Sequence, residues 1–148
     1  MSFLPFQPTI SAHSNVIGLH HVTLEYPLGD TPESCAEHER QARHFYGTLL
    51  GLHEIEIPPE FRAANHDIDG IWFTIDPAGY QQLHLGPVTQ FQAKPRGHVA
   101  LQVHHLEELR TRLQEAGVRI QEAIQEPGWQ RCYAFDPFGN KLELREIL

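Results

Sequence analysis

Four side chains in this sequence have the types and spacing for chemistry. His21 and His84 lie in the first of two repeated stretches, His98 and Glu143 in the second. Imidazole and carboxylate serve Zn, Ni, Mn or Fe, and two histidines with one carboxylate and open positions form the non-haem Fe(II) facial triad. One histidine on a strand carries little weight; these gain theirs from recurrence. His21-Val-Thr-Leu returns as His98-Val-Ala-Leu, 77 residues on, and Asp76-Pro-x-Gly returns as Asp136-Pro-x-Gly, 60 residues on. Leu83-His84-Leu85 returns as Leu142-Glu143-Leu144. Three matches in one order mark an internal duplication. Equivalent positions of a duplicated fold converge near its pseudo-symmetry axis, so the pattern predicts one divalent-metal site at His21, His84, His98 and Glu143. Ligand type leaves the ion open among Zn, Ni, Mn and Fe.

The elements that must position these residues follow from periodicity. Residues 18–24 alternate, which makes a strand with Leu19, His21 and Thr23 on one face and turns His20 to the other. Ala42, Phe45, Tyr46 and Leu49 form one apolar helical stripe, ended by Gly51. Short strands are expected near 53–57, 70–75 and 80–85. The second half repeats the order: a strand at 97–101, a helix through Leu106, Leu109, Leu113 and Ala116 ended by Gly117, and strands near 118–121, 131–135 and 141–146. The fold class is therefore α+β, with each half a strand, a helix and three strands. The expected organisation is an N-terminal arm over 1–15, a first module over 16–87, a linker over 88–96 and a second module over 97–148. Segments 27–37, 58–69 and 121–130, the last carrying Trp129, read as the loops that shape a pocket.

Composition excludes several classes. Of 148 residues, 19 are Asp or Glu and 11 are Lys or Arg, a net charge of −8, which argues against a binder of nucleic-acid phosphates. No apolar run reaches the roughly 20 residues of a membrane span, and no secretory signal is evident. Two distant cysteines, Cys35 and Cys132, form no metal or disulfide motif, which fits a cytoplasmic protein. On the late strands Arg131, Tyr133 and Phe135 share a face, as do Lys141, Glu143 and Arg145. Arg145 could pair with Glu25 or contact substrate. Trp72, Phe73, Phe135 and Phe138 read more readily as core than as pocket wall.

The stretches Leu19-His-His-Val-Thr-Leu24, Ala42-x-x-Phe-Tyr-x-x-Leu-Leu-Gly-Leu52, Gly97-His-Val-Ala-Leu101 and Tyr133-x-x-Asp-Pro-x-Gly-x-x-Leu-Glu-Leu144 resemble the vicinal oxygen chelate superfamily. That superfamily includes glyoxalase I, fosfomycin-resistance thiol transferases, extradiol dioxygenases and bleomycin-resistance proteins. The resemblance implies two tandem βαβββ modules forming a curved mixed sheet around a central metal cavity. It implies ligands at His21, His98 and Glu143, with His84 at the fourth position, where glyoxalases carry a glutamate. In glyoxalase-like members the metal chelates two neighbouring substrate oxygens and a glutamate moves protons, which makes Glu143, with Tyr133 near it, the expected catalytic pair. Thr23, Trp72, Arg131 and Arg145 are the expected substrate contacts. The Tyr133-to-Glu143 string also looks like the extradiol signature, but residues 106–132 lack the histidine that signature requires. Thr23 and Tyr133 favour the fosfomycin-resistance reading; no basic phosphonate pocket is evident at 124–130.

The expected function is thus a metal-dependent glyoxalase-like lyase or isomerase acting on a small substrate with vicinal oxygens. The alternatives are a non-haem Fe(II) dioxygenase and a metal-free, bleomycin-resistance-like sequestering protein. Members usually form dimers, so a homodimer is expected; the sequence leaves open whether modules of both chains contribute to each site. No nucleic-acid or membrane partner is expected.

Overall fold

The computed structural model describes residues 15–64 and 70–148; His13, His66 and nearly all of the expected arm lie outside them. The chain runs β1 (His21–Pro27), α1 (Pro32–Ala42), a wide helical segment (Arg43–Leu49), β2 (His53–Ile55), α2 (Pro59–Ala64), β3 (Ile71–Thr74) and β4 (Gln82–Val88). The second module has the simpler order β5 (His98–Gln102), α3 (Leu106–Glu115), β6 (Ile120–Glu122), β7 (Trp129–Phe135) and β8 (Lys141–Ile147), without counterparts of the wide segment and α2 among the described residues. Two four-stranded sheets result, in the orders β1-β4-β3-β2 and β5-β8-β7-β6. In each, the first strand pairs parallel with the last and the remaining pairs are antiparallel. This is the α+β architecture of tandem βαβββ modules. No helix among the described residues is long and apolar enough to cross a membrane.

Two expected loops begin helices instead. α1 starts at Pro32, inside 27–37. Thr31 caps it, its Oγ1 accepting from the Ser34 amide at 3.1 Å while Ser34 Oγ accepts from the Thr31 amide at 3.0 Å. Pro32 fills the first turn, where its missing N–H costs nothing. α2 starts at Pro59, inside 58–69, for the same reason. The helix after α1 widens, with the Leu50 amide donating to the Phe45 carbonyl at 3.0 Å, and it buries Phe45, Tyr46 and Leu49. Trp129 opens β7 opposite Ile147 and is not a loop residue.

One face of each sheet forms the core. Leu83, Leu85, Ile71 and Phe73 of the first module and Leu101, Cys132, Ala134, Leu142 and Leu144 of the second join helix residues Tyr46, Leu106, Leu109 and Leu113 in one cluster. α3 has no side-chain cap of its own; the Glu146 carboxylate on β8 accepts from the His105 and Leu106 amides at 2.7 and 2.9 Å. Those bonds hold the Glu146 carboxyl below its ordinary range.

Asp136 locks the modules together. It sits in the second-module turn where Gly139, at φ 92°, returns its amide to the Asp136 carbonyl. Its buried carboxylate accepts from the Phe138 and Asn140 amides, from Asn140 Nδ2, and from Tyr46 Oη of the other module at 2.7 Å. Asn140 Nδ2 also donates to the Glu25 carbonyl at 2.7 Å. Burial, then the Asp136 charge, push the Tyr46 hydroxyl well above its ordinary pKa and keep it a donor. Tyr46→Phe should therefore lower unfolding stability by about 1–3 kcal/mol, the cost of underbonding a buried carboxylate. The measurement is the urea midpoint, and an unchanged midpoint would show that this bond does not hold the modules.

Candidate functional site

The faces opposite the core carry the candidate residues. In the first module, register puts Thr23 beside His84 on one side and Trp72 beside it on the other. Adjacent strands lie about 4.8 Å apart, so rings on neighbouring strands can meet. The Trp72 and His84 rings stack at 3.8 Å and 3°, and His21 stacks on His84 at 4.3 Å and 18°. Phe61 of α2 packs edge-on against Trp72 at 5.4 Å. Trp72 is thus a half-buried wall of this face, while Phe73 beside it belongs to the core. His84 Nε2 bonds Gln82 Oε1 at 2.8 Å. Burial first, then His21 and His20, lowers the His84 pKa from 6.5 to about 4.

His20 does not turn away. Its Nδ1 lies 2.9 Å from Nδ1 of His21, and the two rings meet edge to face. Strand alternation holds only inside the ladder, and β1 begins at His21, one residue too late to impose it on His20.

In the second module Glu143 is flanked by Ala100 on β5 and Tyr133 on β7 and is only 5% exposed. Its Oε1 accepts from Arg131 Nε at 2.9 Å and lies 3.4 Å from Arg145 Nη1. Its Oε2 lies 3.2 Å from His98 Nε2. Arg131 Nη2 donates to Tyr133 Oη at 3.0 Å, and the Lys141 ammonium sits 4.0 Å over the Tyr133 ring. Arg145 pairs with Glu126 at 2.9 Å and stacks on Trp129, so the alternative pairing with Glu25 is not formed.

The tautomer of His98 follows from its neighbours. Its Nδ1 lies 2.9 Å from the Arg96 carbonyl oxygen, which can only accept. The ring proton therefore sits on Nδ1, and a neutral His98 points the Nε2 lone pair at a carboxylate. Two lone pairs 3.2 Å apart require a cation between them, a proton or a metal ion.

The four expected ligands thus fall into two pairs, His21 with His84 and His98 with Glu143. Among the described residues, no three His, Cys, Asp or Glu side chains are grouped closely enough to hold a metal ion. Thr23 is exposed on the first-module face and lines a groove of about 630 Å³ with Glu25, His98, Ala100 and Lys141. Sequence reasoning passed over Gln82, although it lies two residues before His84 and alternation alone places it on that face. The Arg96 carbonyl has no side-chain signature and could not be found.

In EDTA-treated protein, His84 should titrate near pH 4 by ring ¹⁵N shifts. Its folded pKa lies below the unfolded value of 6.5, so its contribution to stability is full above 6.5 and is lost as pH falls from 6.5 towards 4. A midpoint near 6.5 would contradict its burial.

Residues 18–144 match the family model of the Glyoxalase/Bleomycin resistance protein/Dioxygenase superfamily. A solved glyoxalase family protein from Bacillus anthracis is 30% identical, with 91% of this chain and 98% of that one covered and a TM-score of 0.74. A glyoxalase/dioxygenase from Nostoc punctiforme is 22% identical over 95% of this chain and 98% of its own, at TM-score 0.69. The fosfomycin resistance protein FosX from Listeria monocytogenes, in complex with Mn(II) and sulfate, is 19% identical over 90% of this chain and 92% of its own, at TM-score 0.64. The last two likenesses concern the fold. No curated protein matches the sequence.

Proposed function

Since the chain belongs to the Glyoxalase/Bleomycin resistance protein/Dioxygenase superfamily, we propose that it is a divalent-metal-dependent lyase or isomerase of the glyoxalase type, acting on a small substrate with vicinal oxygens. The observation that carries this reading is the His98–Glu143 contact, in which the Arg96 carbonyl holds the ring proton on Nδ1 and leaves Nε2 facing a buried carboxylate oxygen. That donor set fits a divalent cation, and His21 and His84 offer the imidazoles to complete it. A bound ion supplies Lewis acidity to two neighbouring substrate oxygens.

The residues of the chain do the rest. Arg131 and Arg145 hold Glu143 Oε1 and leave Oε2 as the atom that takes a proton from substrate carbon and returns it. Arg131 also orients the Tyr133 hydroxyl toward the same face. The cytoplasm is the compartment proposed, on the unpaired cysteines. Because the two ligand pairs lie apart in one chain, a homodimer joins the His21/His84 face of one protomer to the His98/Glu143 face of its partner.

Metal analysis of chelator-free preparations tests the reading: near-stoichiometric Zn, Ni or Mn supports it, Fe with O₂ uptake favours the dioxygenase alternative, and no metal favours sequestration. Glu143→Gln should keep the circular dichroism of the wild type and lose most of its bound metal; full metal content would remove Glu143 from the site. A mixing experiment tests the shared site. His84→Ala and Glu143→Gln variants, each deficient alone, should regain part of their metal uptake after subunit exchange, because each mixed dimer holds one undamaged pair of faces. No recovery would place all ligands of a site in one chain.

A further inference from the structure

The charges around Glu143 do not balance. Arg131, Lys141 and Arg145 share its sheet face, in a protein whose net charge is −8. Both arginines pair with carboxylates: Arg131 holds Glu143, Tyr133 and the Ile124 carbonyl, while Arg145 holds Glu126 and Glu143 through Nη1 and Nη2 and leaves only its buried Nε without a hydrogen-bond partner. Lys141 is half-buried, and its ammonium meets only the Tyr133 ring, with no carboxylate within ion-pair distance among the described residues. Register places it directly beside His98, and it lines the same groove. That groove is lined by two ammonium groups, Lys94 and Lys141, against one carboxylate, Glu25.

A half-buried ammonium without a counter-charge is a group prepared for an anion, because arrival of the anion recovers the lost hydration. A cation between His98 and Glu143 adds positive charge one strand away. We infer that the substrate carries a carboxylate beside its chelating oxygens, and that Lys141 is the specificity-determining residue that receives it. This rests on the proposed metal site and names the substrate class for it. Arg131 and Arg145 position Glu143, whereas Lys141 reads the ligand. Lysine suits that task, as a mobile point charge on a four-carbon stem.

Malate and β-malamate share a hydroxy-acid chelating end and differ only in whether the far end is a carboxylate or an amide. Their binding to manganese-treated full-length protein, followed by calorimetry, tests the inference. Wild type should bind malate about tenfold or more tightly than malamate, the worth of one charge-assisted bond. Lys141→Met should abolish that preference while keeping malamate affinity and manganese content, and Lys141→Arg should keep the preference. Equal binding of the two acids by manganese-loaded wild type, or a preference that survives in Lys141→Met, overturns the role of Lys141 and leaves the metal site standing. A protein that takes up no manganese yet shows the Lys141-dependent preference upholds the anion site and removes the metal reading. One that takes up none and prefers neither acid overturns both.

Discussion

Parallel pairing of the first and last strand of each module is the constraint from which the site follows. β1 lies against β4 with Thr23 opposite His84, and β5 lies against β8 with Ala100 opposite Glu143. A slip of one residue in either pair would exchange the two faces, burying His84 or Glu143 in the hydrophobic core and exposing leucines. Leu83 and Leu85 flank His84, and Leu142 and Leu144 flank Glu143, all four fully buried. The apolar flanks therefore hold the register, and the register holds the chemistry. A polar residue set between two core leucines is forced onto the opposite face at the centre of its sheet, where neighbouring strands shield it from water.

That shielding determines the electrostatics. His84 is kept neutral by burial between Trp72 and His21. Glu143 sits equally deep but is met by two guanidinium groups and an imidazole. The modules have diverged in how they treat the same position: the first offers a neutral donor in an aromatic stack, the second an ionised carboxylate in a basic frame. An anion is stable at such depth only when its lone pairs are satisfied, and Arg131 and Arg145 satisfy one oxygen. The other is left to His98. The two carboxylate oxygens are thus unlike: one is held by guanidinium groups and the other faces an imidazole.

The interlock at Asp136 shows how the duplication was made into one body. Asp76 and Asp136 occupy equivalent turns, each with a glycine amide returning to the aspartate carbonyl at 3.1 Å. Only Asp136 is buried and bonded to the other module, through Tyr46, while Asp76 accepts from the nearby Gln81 amide. One copy of the turn kept its local role, and the other gained a long-range one.

Local pattern carried much of this structure on its face. Alternation and the repeated triplets determined that the chain is two strand–helix–three-strand modules, that His84 and Glu143 are equivalent, and that Arg131 and Tyr133 share a side. The start of α1 was also legible, since Thr31-Pro32 is a cap followed by proline at the first turn; the prolines and glycine nearby masked it. Other features depend on where the chain meets itself. The orientation of His20 depends on where the ladder ends, the proton on His98 depends on a carbonyl two residues away, and the loss of an anionic partner for Lys141 depends on both arginines having taken the carboxylates. Periodicity along one chain tells which face a side chain occupies. Only the packed structure decides what stands opposite it, because burial, counter-charge and hydrogen-bond partners come from residues distant in sequence.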